Sequence, residues 1–203
     1  MDWEQKYLKT DGLLYGHKPA LSVTQARQKA LIPDGRVLFI GDGEGRHSRW
    51  LARQGYNVIA VDISKTAANR ALVEDHKAGI HITRLTDDIA NLQSDLDEFS
   101  SCFMLFLHFS PAERDACFSY LRAQIHPKGR LFIEGFGPEQ IHYREKYHSG
   151  GPAEGDLLYC PEQLMAELHG FKCLEKSLNI KKLDDGPGHQ GPAQICRMVF
   201  ERL

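Results

Sequence analysis

The chain has no long run of apolar residues, and its first residues, Met1 to Lys6, are polar. A bilayer span needs about 20 consecutive apolar residues, so neither a membrane helix nor a secretory leader is expected, and a cytoplasmic protein with no membrane partner is expected. Charge of one sign is also lacking: the net charge is −2, which leaves no electrostatic footprint for nucleic acid. Cysteine is sparse and unpaired in pattern. Cys102, Cys117, Cys160, Cys173 and Cys196 are widely spaced, odd in number and never arranged as C-x-x-C. Reduced thiols are therefore expected rather than a disulfide or zinc framework. The ten histidines include no H-E-x-x-H and no facial-triad spacing, so no metal is expected.

What is present is concentrated between residues 37 and 62. The apolar run Val37 to Ile40 ends in Gly41, Gly43 and Gly45, and a second apolar run, Val58 to Val61, ends in Asp62. A strand, a glycine-rich bend and an acid closing the next strand describe a nucleoside pocket. Glycines at alternate positions permit unusual backbone angles and let a ligand lie against the main chain. Arg46 to Gln54 reads as the helix that follows, with its free N–H groups facing the ligand and Gly55 at its end. Asp62 stands seventeen residues beyond the last glycine, placed to accept from a ribose hydroxyl pair.

A dinucleotide site requires G-x-G-x-x-G, whose third glycine falls here on Arg46. The pattern is instead G-x-G-x-G, with Asp42 and Glu44 between the glycines. Two carboxylates repel a pyrophosphate and suit a ligand with a cationic amino-acid tail and a sulfonium centre. That combination points to S-adenosylmethionine as cofactor.

The rest of the chain alternates strand and helix. Ser64 reads as the N-cap of a helix reaching Lys77, with Ala67, Ala68, Ala71 and Leu72 on one face, and Ile80 to Leu85 as a strand followed by a turn through Ile89. Phe99 to Phe106 is almost continuously apolar, as the central strand of a parallel sheet should be. Ser110, Pro111 and Glu113 form a capping-box start, and Arg130 to Glu134 reads as a fifth strand. Gly135 to Tyr159 reads as a loop, and Pro161 opens a short helix. Lys172 to Lys182 and Gln194 to Arg202 read as two strands whose connection is too short for a crossover helix, so they pair antiparallel. The expected fold is α/β: one doubly wound, seven-stranded, mostly parallel sheet with a C-terminal antiparallel hairpin, in a single domain over 1–203. Residues 1–33 are expected as an N-terminal lid and 135–160 as a substrate-side loop.

With the glycine triplet, Asp62 and the hairpin in place, the chain resembles the class I S-adenosylmethionine-dependent methyltransferases, a Rossmann-like fold, over nearly its whole length. It is most similar to small bacterial enzymes of the tellurite-resistance and thiopurine type, through Trp3, Tyr7, Tyr15 to Pro19, Phe106 to Phe109, Gly150 to Pro152, Leu158-Tyr159 and Gly188 to Gly191. The resemblance implies that Gly41, Gly43 and Gly45 contact the methionyl and ribose parts of the cofactor and that Asp62 holds the ribose. It further implies that Ile63 packs on the adenine, that Asp88 and Ile89 border its edge, and that Leu105 and Phe106 floor the methionyl tail. Phe39 departs from the family where many relatives carry an acid; the departure removes a partner for the ammonium group, which Asp42 is then expected to supply. Ser100 stands where the fourth strand often begins with Asp.

A sulfonium needs little covalent help from a protein beyond alignment and exclusion of water. His108, just past the central strand, reads either as a general base or as a hydrogen-bonding group tied to a nearby loop. His189, at the hairpin tip, reads either as a base reaching over the pocket or as a solvated loop histidine. Tyr15, His17, Tyr143, Arg144, Tyr147 and His148 are candidates for a substrate wall, with packing of loop on core as the other reading of Tyr143 and Tyr147. Lys181, Lys182, Asp184 and Asp185 read as a solvated sheet edge. The expected partner is a small-molecule methyl acceptor, a thiol or metalloid oxyanion by resemblance; the acceptor's identity and the oligomeric state stay open. A non-catalytic S-adenosylmethionine or S-adenosylhomocysteine sensor and a nicotinamide oxidoreductase are the alternatives from other classes.

Overall fold

A computed structural model describes residues 2–89 and 98–203. Five strands, β1 (Arg36–Ile40), β2 (Asn57–Asp62), β3 (Thr83–Thr86), β4 (Phe99–Leu105) and β5 (Ile125–Phe136), pair in parallel. Two long strands, β6 (Phe171–Asp184) and β7 (Gln190–Arg202), form an antiparallel hairpin, with β7 inserted between β5 and β6. The sheet order is β3-β2-β1-β4-β5-β7-β6, so β4 lies at its centre, and every residue of β4 is buried. The reversal of strand order between β1 and β4 creates the crevice where α/β sheets of this kind take their ligands.

Alternation along the strands divides the core between two faces. Leu38, Ile40, Cys102, Met104, Leu131 and Ile133 pack against Cys117, Phe118 and Leu121 of α5 (Pro111–Gln124) and Leu164 of α7 (Pro161–Glu167). Val37, Phe39, Phe103, Phe132 and Val199 face Val23 and Ala26 of α2 (Leu21–Gln28) and Leu51 of α3 (Arg46–Ala52). Phe39 stacks on Phe103 at 4.8 Å between ring centroids, and Phe103 on Phe132 at 4.3 Å. A continuous aromatic stack across β1, β4 and β5 thus occupies the position where an acid would otherwise stand.

Ser64 caps α4 (Lys65–Lys77) by accepting from Ala67 N, and Ser110 and Glu113 form the reciprocal capping box of α5. α1 (Trp3–Leu8) packs on α4, burying Tyr7 against Ala67. Several expectations are corrected. Leu72 is 48% exposed; only the three alanines of the expected α4 face are buried. The third strand is confined to Thr83–Thr86, while the fifth extends from Ile125 to Phe136. The segment after β5 is no plain loop: it carries α6 (Gln140–Tyr147) and a 3-10 turn at Gly155–Leu157. The hairpin strands run further toward each other than their polar ends suggested, because backbone pairing continues through Asp184↔Gln190.

Candidate functional site

The chain leaves β1 in a sharp turn held by backbone bonds from Gly41 N to Val61 O (2.8 Å) and from Gly45 N to Asp42 O (3.1 Å). Gly43 requires its glycine: φ is +57°, and a Cβ there would lie 2.6 Å from the Tyr7 hydroxyl. Asp62 closes the turn from the end of β2. Its two carboxylate oxygens accept from Gly43 N (2.6 Å) and Ser64 N (2.8 Å), and each keeps a further lone pair for a ligand hydroxyl. Burial raises its pKa to about 6 against the pull of those hydrogen bonds.

The acids between the glycines are engaged differently from expectation. Asp42 Oδ2 accepts from Ser48 Oγ and from Arg84 Nη1 (2.7 Å), while Arg84 also holds Asp75 (2.6 Å), which in turn holds Arg49 (2.7 Å). This buried cluster underpins the loop, and Gly45 is turned into it: a Cβ there would meet Arg84 and Arg49, so Gly45 supports the turn without lining the cavity. Asp42 Oδ1 is buried with no hydrogen-bond partner, on a residue that lines the cavity. Glu44 also borders the cavity, but its carboxylate is spent on the N-terminal segment, accepting from Leu14 N (2.8 Å) and Arg70 Nη1 (3.1 Å).

That segment packs over the turn. Arg70 donates to the carbonyls of Tyr7, Thr10 and Gly12, Arg46 to those of Tyr15 and Lys18, and Glu4 accepts from Ser64 Oγ and Thr66. His47, at the start of α3, accepts from Ala20 N through Nδ1 (3.2 Å) and is held well below its ordinary pKa by burial. The N-terminal residues of α3 are therefore buried under this segment, where they anchor it.

Beneath the segment lies a cavity of about 1050 Å³, a volume that holds a nucleoside-sized ligand together with a second small molecule. Gly41, Asp42, Gly43, Asp62, Ile63, Asp88, Ile89, Leu105 and Phe106 line one part. The other part is walled by Tyr15, Phe136, His108, Arg144, His148 and His189. Phe106 adopts φ +55° at the end of β4, which brings its ring to 4.5 Å from that of His189.

The two candidate bases are unlike each other. His108 Nδ1 is 2.7 Å from Leu157 O and must donate to it, while Nε2 accepts from Phe136 N (3.3 Å); burial pushes its pKa down to about 4. Both nitrogens are thereby committed to backbone groups. His189 is 4% exposed and packed against Tyr15 and Phe106, and its Nδ1 has no hydrogen-bond partner. Asp185 Oδ2 stands 3.9 Å from that nitrogen. Asp185 also pairs with Arg46 at 3.3 Å, which corrects its reading as a solvated edge residue. Burial works to raise the Asp185 pKa, yet His189 and Arg46 hold it down to about 2.

Three expected wall residues lie outside the cavity. His17 points to solvent beside Glu74 (3.7 Å), and Tyr143 and Tyr147 face one another at 6.0 Å on α6, while Arg144 on that helix and His148, the left-handed residue that caps it, line the cavity instead. Arg46, Arg84, Asp185 and Lys6 went unforeseen. Lys6 Nζ donates to the Tyr15 hydroxyl (3.2 Å) at the cavity wall. Only Arg46, next to the glycine triplet, had a sequence signal. Among the described residues no cluster of His, Cys, Asp or Glu is arranged to hold a metal, and no helix is long and apolar enough to cross a membrane.

Residues 37–129 match the family described as "Methyltransferase domain". No curated protein matches the chain in sequence. Among solved structures, one concerned with conversion of a disulfide bond into a thioacetal group during echinomycin biosynthesis superposes with a TM-score of 0.82 at 16% identity, covering 98% of this chain and 90% of the other. A SAM-dependent methyltransferase from Anabaena variabilis gives 0.74 at 20% identity, with 99% and 93% covered. TehB from Haemophilus influenzae gives 0.71 at 18% identity, with 100% of this chain and 66% of that chain covered. At these identities the likeness establishes a shared fold.

Proposed function

We propose that this chain, whose residues 37–129 match a methyltransferase domain, transfers the methyl group of S-adenosylmethionine to a small-molecule acceptor. The observation that carries this reading is the junction of two unlike half-sites in one cavity: the glycine turn with Asp62 on one side, and the aromatic chamber of Tyr15, Phe106, Phe136 and His189 on the other. The donor set fits the cofactor. Asp62 has acceptor capacity for a ribose hydroxyl pair, and the unpartnered, buried Asp42 Oδ1 is matched to the ammonium group of the methionyl tail, in place of the acid absent at Phe39. Ile63 and Ile89 offer apolar surface to the adenine. Bound there, the cofactor supplies a methyl group already activated on a sulfonium.

The chain's own part is alignment and dryness. Phe106, Leu105 and Tyr15 exclude water from the point where the two half-sites meet, and alignment of two reactants is worth about 7–11 kcal/mol of barrier. For the acceptor we favour a soft nucleophile, a thiol or a metalloid oxyanion. Supporting this choice, Lys6 and Arg46 flank Tyr15 and favour an anion approaching the chamber, with Arg46 5.9 Å from the centre of that ring. The first neighbour described above also concerns chemistry at disulfide sulfur.

The test is calorimetric titration with S-adenosylmethionine, followed by incubation with methyl-labelled cofactor and panels of thiols, selenite, tellurite, amines and hydroxyl compounds, with products identified by mass spectrometry. Labelled methyl on sulfur or a metalloid is the expected result. Absence of cofactor binding overturns the reading as a whole, and transfer confined to amines or hydroxyls overturns the acceptor class.

A further inference from the structure

We infer that His189 is the proton acceptor for the methyl acceptor and that Asp185, itself fixed by Arg46, is the residue that positions it. This rests on the methyl-transfer reading above. Three observations converge. His189 packs against Tyr15 and Phe106, with ring centroids 4.5 Å away and tilted by 50° and 52°, and edge-on against Phe136 at 5.3 Å, so the imidazole is held by packing. Its Nδ1 is buried without a partner and looks toward Asp185 Oδ2 at 3.9 Å. Asp185 is gripped by Arg46 Nη1 at 3.3 Å, on the residue that immediately follows the glycine triplet. A buried imidazole nitrogen facing a carboxylate carries the proton, which leaves Nε2 with its lone pair on the side of the ring away from Asp185.

The gap of 3.9 Å exceeds a hydrogen bond, and such contacts commonly tighten only when the site fills. The step balances simply: the acceptor's S–H bond breaks, its electron pair stays on the sulfur that will receive the methyl group, and the proton goes to His189 Nε2. The imidazolium so formed is stabilised by the Asp185 carboxylate and later returns its proton to water. The other titratable or charged groups around the ring are Arg46, Lys6, His47, His108 and Tyr15. Asp185 is the one carboxylate among these neighbours, and it is therefore the group that sets the tautomer. His108 cannot share the task, since both its nitrogens serve backbone partners.

The experiment is ¹⁵N-histidine NMR on the full chain with S-adenosylhomocysteine, for the wild type and for Asp185→Asn, beside calorimetry with S-adenosylmethionine on both. The wild-type spectrum should show His189 neutral at pH 7.5 with the proton on Nδ1, and Asp185→Asn should move a measurable share of it to Nε2. With labelled cofactor and 2-mercaptoethanol as the protonated acceptor, His189→Gln should lower kcat by about 10²–10⁴-fold. Asp185→Asn should lower kcat with little change in KM and shift the acidic limb of the pH profile. A wild-type proton on Nε2, or an Asp185→Asn spectrum identical to wild type, overturns the inference even if the cofactor binds. Failure of the wild type to bind cofactor overturns the underlying reading and leaves the tautomer measurement to stand by itself.

Discussion

Asp62 gives the sharpest quantitative handle on the site. Burial raises its carboxyl pKa to about 6, even though it accepts from Ser64 N and Gly43 N. A ribose hydroxyl pair donates hydrogen bonds, so it binds the ionised carboxylate. Affinity is then fully expressed above about pH 7 and falls toward tenfold per pH unit below the folded pKa, which puts binding at pH 5 about tenfold weaker than at pH 7.5. Two hydrogen bonds to a charged acceptor are worth about 1.5–3 kcal/mol each, so Asp62→Ala should cost about 3–6 kcal/mol, or about 10²–10⁴ in Kd. Isothermal titration from pH 8 to 5 measures both. The same titration in buffers of different ionisation enthalpy should show a proton released near pH 6, as binding pulls the raised pKa down. For folding the sign is opposite: the contribution is fully present below the unfolded pKa of about 4 and is lost as pH rises through about 6, so this carboxylate opposes stability at neutral pH. Relative to wild type, ligand-free Asp62→Asn should gain in Tm as pH rises from about 5 to 7.5. A wild-type Kd that stays flat between pH 8 and 5, or an Asp62→Ala variant that binds normally, refutes the assignment of this residue.

Three other perturbations probe the supporting structure. Arg84→Met leaves the buried Asp42 carboxylate without its cation and should cost about 3–5 kcal/mol, read by calorimetry as a Tm lower by about 6–20 °C. Gly188→Ala drives a methyl group into the Tyr15 ring where the N-terminal segment meets the hairpin, and should lower turnover while leaving cofactor Kd within a few-fold, checked by binding and rate measured in parallel. Arg70→Ala removes the donors to the carbonyls of Tyr7, Thr10 and Gly12; limited proteolysis should then cut the chain before Ala20 faster than in wild type, with the remainder equally resistant.

The parts legible in the sequence were those governed by local chemistry. Strand alternation, the Ser64 and Ser110 caps, the continuous apolar run of β4 and the short hairpin connection each follow from interactions within a few residues, and all recur in the structure. The place of Asp62 was legible because it depends only on closing a strand beside a glycine turn. The illegible parts depend on partners distant in the chain. Asp185 lies 139 residues from Arg46, and no periodicity joins them. On α6 Arg144 and Glu145 line the cavity while Tyr143 and Tyr147 fall outside, and the cap residue His148 turns back to it, distinctions invisible while the segment read as a loop. Glu44 looked like a ligand-facing charge because its spacing placed it in the glycine turn, but only the folded N-terminal segment shows that Leu14 and Arg70 claim it.

The acidic glycine turn therefore serves the surrounding segments as well as the cavity. Had both carboxylates been left unpaired toward the cavity, their purpose would have been charge complementarity alone. Instead Asp42 keeps one oxygen for the cavity while Glu44 and Arg46 hold the N-terminal segment, and Arg46 also reaches the hairpin through Asp185. One five-residue turn thereby contacts the cofactor half-site, the segment that covers it and the loop that carries His189. Displacing the N-terminal segment must break the Leu14–Glu44 and Tyr15–Arg46 bonds, and the second of these shares its guanidinium with Asp185. One guanidinium, that of Arg46, thus ties both the N-terminal segment over the turn and the loop that carries His189 to the start of α3.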